Sequence, residues 1–450
     1  MLKKLPAQPQ LEMFKTVLTS FINPQHELCL LAKEIDWECL EKEFAPLYAE
    51  VGRPSIPIRT IVGLLLLKQI YNLGDETVMD RYIDSPYCQH FCGEIYFRYE
   101  YPFDPSDFVH FRKRIGEEGM KKIFKQSIDL FGKEKVRKEV KEVRVDTTVQ
   151  EKNITFPTDR KLTEKVIVHC KRIAKKEGVK LKRTYSREIK KLKHQLRFAR
   201  KPKNMKKHRK AQTRLHRIAF KIYRDVVSQL NPIPMKYKEE LDVLYRVLTQ
   251  KRDDTNKVYS IHEPETLCIS KGKEHKQYEF GNKSSFAYTR KSGIIVGAMA
   301  IEGNVYDGHT LQPQLEQVKE LTGGKIRKAI VDRGYKVKVG IPGIDIVMPK
   351  NLKRESYYMK KKREERCRSR AGIEGLISHL KHDHRMMRNY LSGTAGDKIN
   401  TLLAAAAYNM KKWMRLKRQE ILDLIFRWFL QTDILFLVNI KPWRSIKNVN

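Results

Sequence analysis

The chain has 450 residues, 41% of them apolar, enough to bury a large core spread over two or more domains. Lys and Arg number 91 against 53 Asp and Glu, giving a net charge of +38 and a pI near 9.8. That field selects a polyanion as partner (DNA, RNA or an anionic membrane) and leaves a ribosome-like or merely soluble basic protein as the bland alternative.

In chain order, the opening MLKKLPAQPQ leads into no uninterrupted apolar signal segment, so a cytoplasmic protein is expected. Residues 1–139 read as helical. Pro57 to Tyr71 is strongly apolar and stops at Gly74; Asp75 is placed to cap a second helix through Ile83. Helix, glycine turn and helix suit DNA binding, and equally an ordinary packed pair. Asp104 or Ser106 starts a third helix with Phe108, Phe111 and Ile115 in register. Seven scattered cysteines argue against a disulfide framework. Cys88 and Cys92 lack the second pair of a zinc site and read as core thiols.

Near Val140 the texture changes. EVRVDTTV alternates and is β-branched, so it reads as a strand. Residues 159–257 then carry 32 Lys and Arg against 10 Asp and Glu. Apolar residues recur at Ile189, Leu192 and Leu196, and again at Leu215, Ile218, Ala219 and Ile222, which predicts a basic helical hairpin broken at Pro202. Such one-signed charge repels itself without an anionic partner. Pro232 and Pro234 close that segment. Strands follow at Thr266–Ser270, Tyr278–Thr289 and Ile294–Ile301, a helix at Leu311–Leu321 ended by Gly323-Gly324, and strands at Ile326–Asp332 and Ile344–Pro349. The apolar run from Ile421 to Ile440 is interrupted by Asp423, Arg427, Gln431 and Asp433, so a packed helix is expected and no membrane span.

The chemistry concentrates in RSRAGIEGLISHLKHD. Arg370, Glu374 and Lys381 fall on one side of a helix whose apolar stripe is Ile373, Leu376, Ile377 and Leu380. Asp146 follows one β-branched strand and Asp332 another. Carboxylates at strand ends suit hard cations such as Mg²⁺, and two such ions about 4 Å apart serve both oxygens of a phosphoryl transfer. Each acid alone reads as a cap, a turn or a solvated side chain. Glu364 and Glu365 compete for the third position, but their run KKKREERCRSR has no apolar face to pin it. His379, His382 and His384 crowd the end of the same helix and read as backbone contacts to nucleic acid or as plain surface. IHEPE lacks the second His of a zinc-protease motif, and no phosphate-binding G-x-x-x-x-G-K-[ST] loop occurs.

Longer blocks carry a resemblance. SIPIRTIVGLLLLKQIYNLGDETVMDRYIDSPYCQHFCGE, VDTTVQEKNITFPTD, SIHEPETLCISKGKEHKQYEFGNK, GNVYDGHTL, VDRGY and RNYLSGTAGDKIN are similar to those of bacterial insertion-sequence transposases of the DDE superfamily, especially the type-five insertion-sequence group. The resemblance implies an α/β catalytic core of RNase H-like fold (mixed sheet, flanking helices), an all-α N-terminal domain and a basic helical insertion. The expected division is 1–139, helical and DNA-binding; 140–158 with 258–390, catalytic core; 159–257, insertion; and 391–450, C-terminal helical segment. It implies a metal-binding triad of Asp146, Asp332 and Glu374 using Mg²⁺, with Mn²⁺ as substitute, and DNA contacts from Arg333, Arg370 and Lys381. Arg370, Glu374 and Lys381 match the R, E and K of a Y-R-E-K signature whose tyrosine position holds Cys367 here. The expected partners are double-stranded DNA (inverted-repeat element ends and target) and a second copy of the chain on that DNA. Asp332 follows Asp146 by 186 residues and precedes Glu374 by 42, so the added mass lies between the two aspartates.

Overall fold

The computed structural model describes residues 15–49, 51, 54–197, 205–270, 277–335, 340–349, 356–368 and 372–439, with side chains up to residue 424. Seven helices come first: α1 Glu27–Glu34, α2 Trp37–Phe44, α3 Ile58–Ile70, α4 Asp75–Asp84, α5 Pro86–Phe91, α6 Asp107–Asp129 and α7 Lys133–Glu139. Strand β1 spans Glu142–Glu151. Four helices follow it: α8 Asp159–Lys176, α9 Ser186–Arg197, α10 Met205–Gln229 and α11 Met235–Thr249. Then come β2 Cys268–Ser270, β3 Tyr278–Thr289, β4 Ile295–Ile301, α12 Asp307–Thr322, β5 Lys328–Ile330, β6 Asp345–Val347, α13 Tyr357–Arg368, α14 Gly372–Asp383 and α15 Gly393–Asn439.

The sheet is mixed. β3 pairs antiparallel with β1 along one edge, and with β2 and then β4 along the other; β1, β5 and β6 run parallel. Helices cover both faces. Val143, Val145 and Ala287 lie on the face covered by α12, whose Gln314 and Val318 crowd Gly297 too closely for any side chain there. Arg144, Asp146, Thr148 and Gln150 alternate onto the other face, where Ser284 Oγ meets Thr401 Oγ1 of α15 at 2.9 Å and Gln150 reaches Asp397. The open edge of β4 is satisfied by side-chain amides. Asn409 brackets Ile295, accepting from its N–H at 2.9 Å and donating to its carbonyl at 2.8 Å. Gln317 does the same at Ala298, at 2.8 and 3.0 Å.

Two hydrophobic cores result. One runs from Leu28 through α3, α6 and the sheet to Met414 on α15. Helix α3 is apolar all round and buried along its length, which is why it forms the centre of the N-terminal helices. Ala404 to Ala407, all fully buried, let α15 pack closely. The second core lies between Leu162 and Ile261 and belongs to α8–α11. Ile189, Leu192, Leu196, Leu215, Ile218, Ala219 and Ile222 all point into it, as their spacing predicted.

Several expectations shift. Asp75 does not cap α4: Gly74 is the cap residue, and the Asp75 carboxylate turns inward to Lys68 (2.6 Å) and Arg112 (3.0 and 2.8 Å). Pro232 and Pro234 divide α10 from α11 rather than ending the helical segment. Helix α12 begins four residues before Leu311, and the parallel strands β5 and β6 are only three residues each. Pro202 lies outside the described residues. Cys88 and Cys92 are buried, with burial raising both thiols.

Candidate active site

Asp146 sits in the middle of β1, not at its end, because β3 pairs with the whole strand and sets Phe286 opposite it. Against β5, however, the pairing stops at Arg144↔Ile330. Each aspartate lies two residues beyond that last pair, Asp146 within β1 and Asp332 just past the end of β5. Both aspartates are half-buried, and each carboxylate accepts the N–H of the following residue, Thr147 at 2.9 Å and Arg333 at 2.7 Å.

Helix α14 crosses that face. A methyl group on Gly372 would lie 3.9 Å from Nη1 of Arg144, two residues before Asp146. At the other end Lys381 reaches Glu279 of β3 at 3.7 Å. Ile373, Leu376 and Leu380 are buried and Ile377 partly so, which pins the helix by the stripe read from sequence. Glu374 is exposed. Among the described residues no three His, Cys, Asp or Glu side chains converge closely enough to hold a metal ion, so Asp146, Asp332 and Glu374 are not gathered into one cluster. As donors the three carboxylates are hard oxygen ligands, the set that suits Mg²⁺ or Mn²⁺. Arg370 lies outside the described residues. Arg333 is exposed and donates from Nε to Pro349 O at 2.8 Å.

The competing acids are engaged elsewhere. Glu365 pairs with Arg290 at 2.9 Å, and Arg290 also holds Glu142, at the opening of β1. Burial pushes the Glu142 carboxyl up, but Arg290 and Arg366 more than offset it and hold it below its usual value. Cys367, where the signature has tyrosine, is half-buried on α13. The histidines separate: His379 pairs with Asp383 at 2.6 Å, His382 is exposed, and His384 is buried. Its Nδ1 lies 3.2 Å from Gln69 O while Gln69 Nε2 donates to His384 O at 3.0 Å, so this residue joins α14 to α3.

A buried polar network beside the site went unread in the sequence. Lys152 Nζ contacts Asp397 at 3.0 Å and Glu263 at 3.2 Å. Asn282 and Asn389 each donate to Asp397 at 2.6 Å, and Asn400 donates to Gln150 at 2.6 Å. Burial raises Asp397's affinity for a proton against the pull of Lys152 and the amides. These residues come from VDTTVQEKN, IHEPE, GNK and RNYLSGTAGDKIN, blocks whose polar composition reads as surface.

On α10, Lys206, Lys210, Arg217, Lys221 and Arg224 are all exposed. Their spacing confines them to one stripe about 27 Å long.

Residues 16–114 match the family described as a transposase domain (DUF772), and residues 257–410 match the transposase DDE domain. A stretch of 184 residues is 38% identical to an uncharacterized protein, ORF8 in the nfe locus of Rhizobium meliloti, covering 40% of this chain and 89% of that protein. No solved structure matches the chain significantly. No helix among the described residues is long and apolar enough to cross a membrane.

Proposed function

Because the chain is an insertion-sequence DDE transposase by its two transposase domains, we propose that it cuts the ends of its element and joins them to target DNA at a site built from Asp146, Asp332 and Glu374. The observation that supports this most is the parallel pairing of β1 with β5, which stops two residues short of each aspartate. The mixed sheet with helices on both faces agrees with an RNase H-like core, and the separate core of α8–α11 agrees with residues 159–257 as an insertion. The type-five group is the nearest reading of the sequence blocks.

Asp146, Asp332 and Glu374 would hold the divalent metal, Mg²⁺ or Mn²⁺, which when bound polarises the attacking and leaving oxygens of the phosphodiester. To join the aspartates, Glu374 would move toward β1 with α14 or by its side chain. Arg370, Lys381 and Arg333 grip phosphates on either side of the scissile bond, each charge-assisted contact worth roughly 1–3 kcal/mol. Water attacks the phosphodiester at the element end and releases a 3′-hydroxyl. That hydroxyl attacks a target phosphodiester, and the displaced 3′-oxygen of the target leaves. The N-terminal helices and the α10 stripe bind duplex mostly through phosphates. Two ends must be brought together, so a dimer forms on DNA.

The test is metal-dependent cleavage and strand transfer on DNA carrying the element ends. Asp332→Asn and Glu374→Gln should each lower both rates at least roughly 100-fold. A wild-type rate in either variant overturns the site. Cleavage without transfer identifies a nuclease, and salt-dependent binding with no cleavage under any divalent metal identifies an inactive DNA-binding relative.

A further inference from the structure

Helix α12 opens on an unusual cap. Tyr306 holds the N-cap position, where a short oxygen-bearing side chain normally accepts a backbone N–H, and it makes no such bond. Its side chain is 42% exposed instead, and its hydroxyl donates to Gly334 O at 2.5 Å. Gly334 is the middle residue of the tight helical turn Arg333–Tyr335, which follows Asp332 directly. A local sequence rule broken for a contact elsewhere marks a place where position matters more than helix stability.

The first turn of α12 is itself anchored. Lys283 Nζ, from β3, donates to Asp307 Oδ1 at 2.9 Å and to Val305 O at 3.0 Å. Lys283 is paired with Val149 of β1 and so lies on the face that α12 covers. His309 N–H donates to Tyr306 O at 2.9 Å, and the two rings meet edge-on with centroids 5.7 Å apart. Gly308 lets the helix come this close: a methyl group there would sit 2.3 Å from Tyr335 O. On its other side the turn is tied by Arg333 Nε to Pro349 O at 2.8 Å, and Tyr335 N–H closes it onto Asp332 O at 3.1 Å. Asp332 lies beyond the last ladder pair that β5 makes with β1 or with β6, so the sheet alone does not hold its backbone. A carboxylate binds a metal well when its surroundings already hold it in place, since ordering it on binding subtracts from the affinity.

We propose that Tyr306 is a positioning residue: from the anchored end of α12 its hydroxyl holds the turn at Gly334, and the turn presents the Asp332 carboxylate to a divalent cation. That Asp332 is a metal ligand rests on the transposase reading; the hold on the turn does not.

The experiment compares the full chain with Tyr306→Phe, which keeps the ring and removes only the hydroxyl. Hydrogen exchange followed by mass spectrometry, without metal, should show the peptide bearing residues 332–335 exchanging about 3- to 10-fold faster in the variant, as the loss of one such bond implies. Peptides from the α8–α11 core should exchange as in wild type. Mn²⁺ binding, read from the electron paramagnetic resonance of the free ion, should weaken by a similar factor. The thermal melt should not change, because Tyr306 and Gly334 are both exposed and water takes the vacated carbonyl. Gly308→Ala, which pushes α12 off the turn, should give the same faster exchange and weaker Mn²⁺ binding. Wild-type exchange at residues 332–335 in Tyr306→Phe overturns the proposal. So does faster exchange along the whole chain with a lowered melt, which marks a merely structural role. Wild-type Mn²⁺ affinity in Tyr306→Phe, where Asp332→Asn has lost Mn²⁺, overturns this proposal alone. If Asp332→Asn itself binds Mn²⁺ as wild type does, the metal-ligand reading fails, and the exchange contrast still decides whether Tyr306 holds the turn.

Discussion

Lys68 and Arg112 are nearly fully buried, and the carboxylate of Asp75 is bonded to both. Burial pulls the Lys68 ammonium down to about 8 despite Asp75 beside it. Asp75→Ala leaves two buried cations without that carboxylate and should cost about 3–5 kcal/mol, read by urea denaturation. His384 offers a second measurement. Burial lowers its imidazole to about 4, with the Gln69 carbonyl only partly opposing. The unfolded imidazole takes a proton near pH 6.5, so between pH 6.5 and 4 the unfolded state binds more protons. Stability therefore falls as pH drops through that window and is unaffected above it, by up to roughly 3 kcal/mol at the acid end. Denaturation curves at pH 7.5, 5.5 and 4.5 should converge more closely in His384→Gln; an unchanged pH slope in that variant would refute the assignment. Neither residue was legible in sequence. Asp75 reads as a cap and His384 as surface, because their buried contacts depend on residues in other helices, Arg112 being 37 positions from Asp75 and Gln69 being 315 from His384.

Elements built on short-range pattern were legible. The stripe of α14, the ends of β3 and the buried face of α10 follow from spacing alone, since each is an i, i+3/i+4 or alternating pattern that one element displays by itself. The three-residue strands β5 and β6 were read too long, because their length is set by the partner that stops pairing and not by their own apolar runs. For the same reason Asp146 read as a strand end: it is one with respect to β5 and not to β3. The outer face of α10 makes its own prediction. Changing Lys210, Arg217, Lys221 and Arg224 to Gln together should reduce the salt slope of duplex binding by up to about 3–4, leaving the α8–α11 core intact. A fluorescence titration across salt concentrations reads it, and an unaltered slope would remove α10 from the interface.

At the scale of the molecule, the two cores predict two unfolding units. Residues 157–262, expressed alone, should be helical and melt cooperatively, because their buried side chains contact one another rather than the sheet. A circular dichroism spectrum of random coil would show instead that the sheet holds the insertion together. What no local pattern could supply is how the insertion is accommodated: closing a long loop costs free energy only logarithmically in its length, so β1 and β5 pair across it at little extra cost. The pairing of β1 with β5 also takes time to become possible. At about 5–20 residues per second of synthesis, β1 leaves the ribosome roughly 10–40 s before the strand that will lie beside it. During that interval α8–α11 can complete their own core, and the β1 edge meant for β5 stays open to any other strand it meets. The chain is thus most vulnerable to mispairing while it is still being made, and slowing translation after Asp146 should lower its soluble yield.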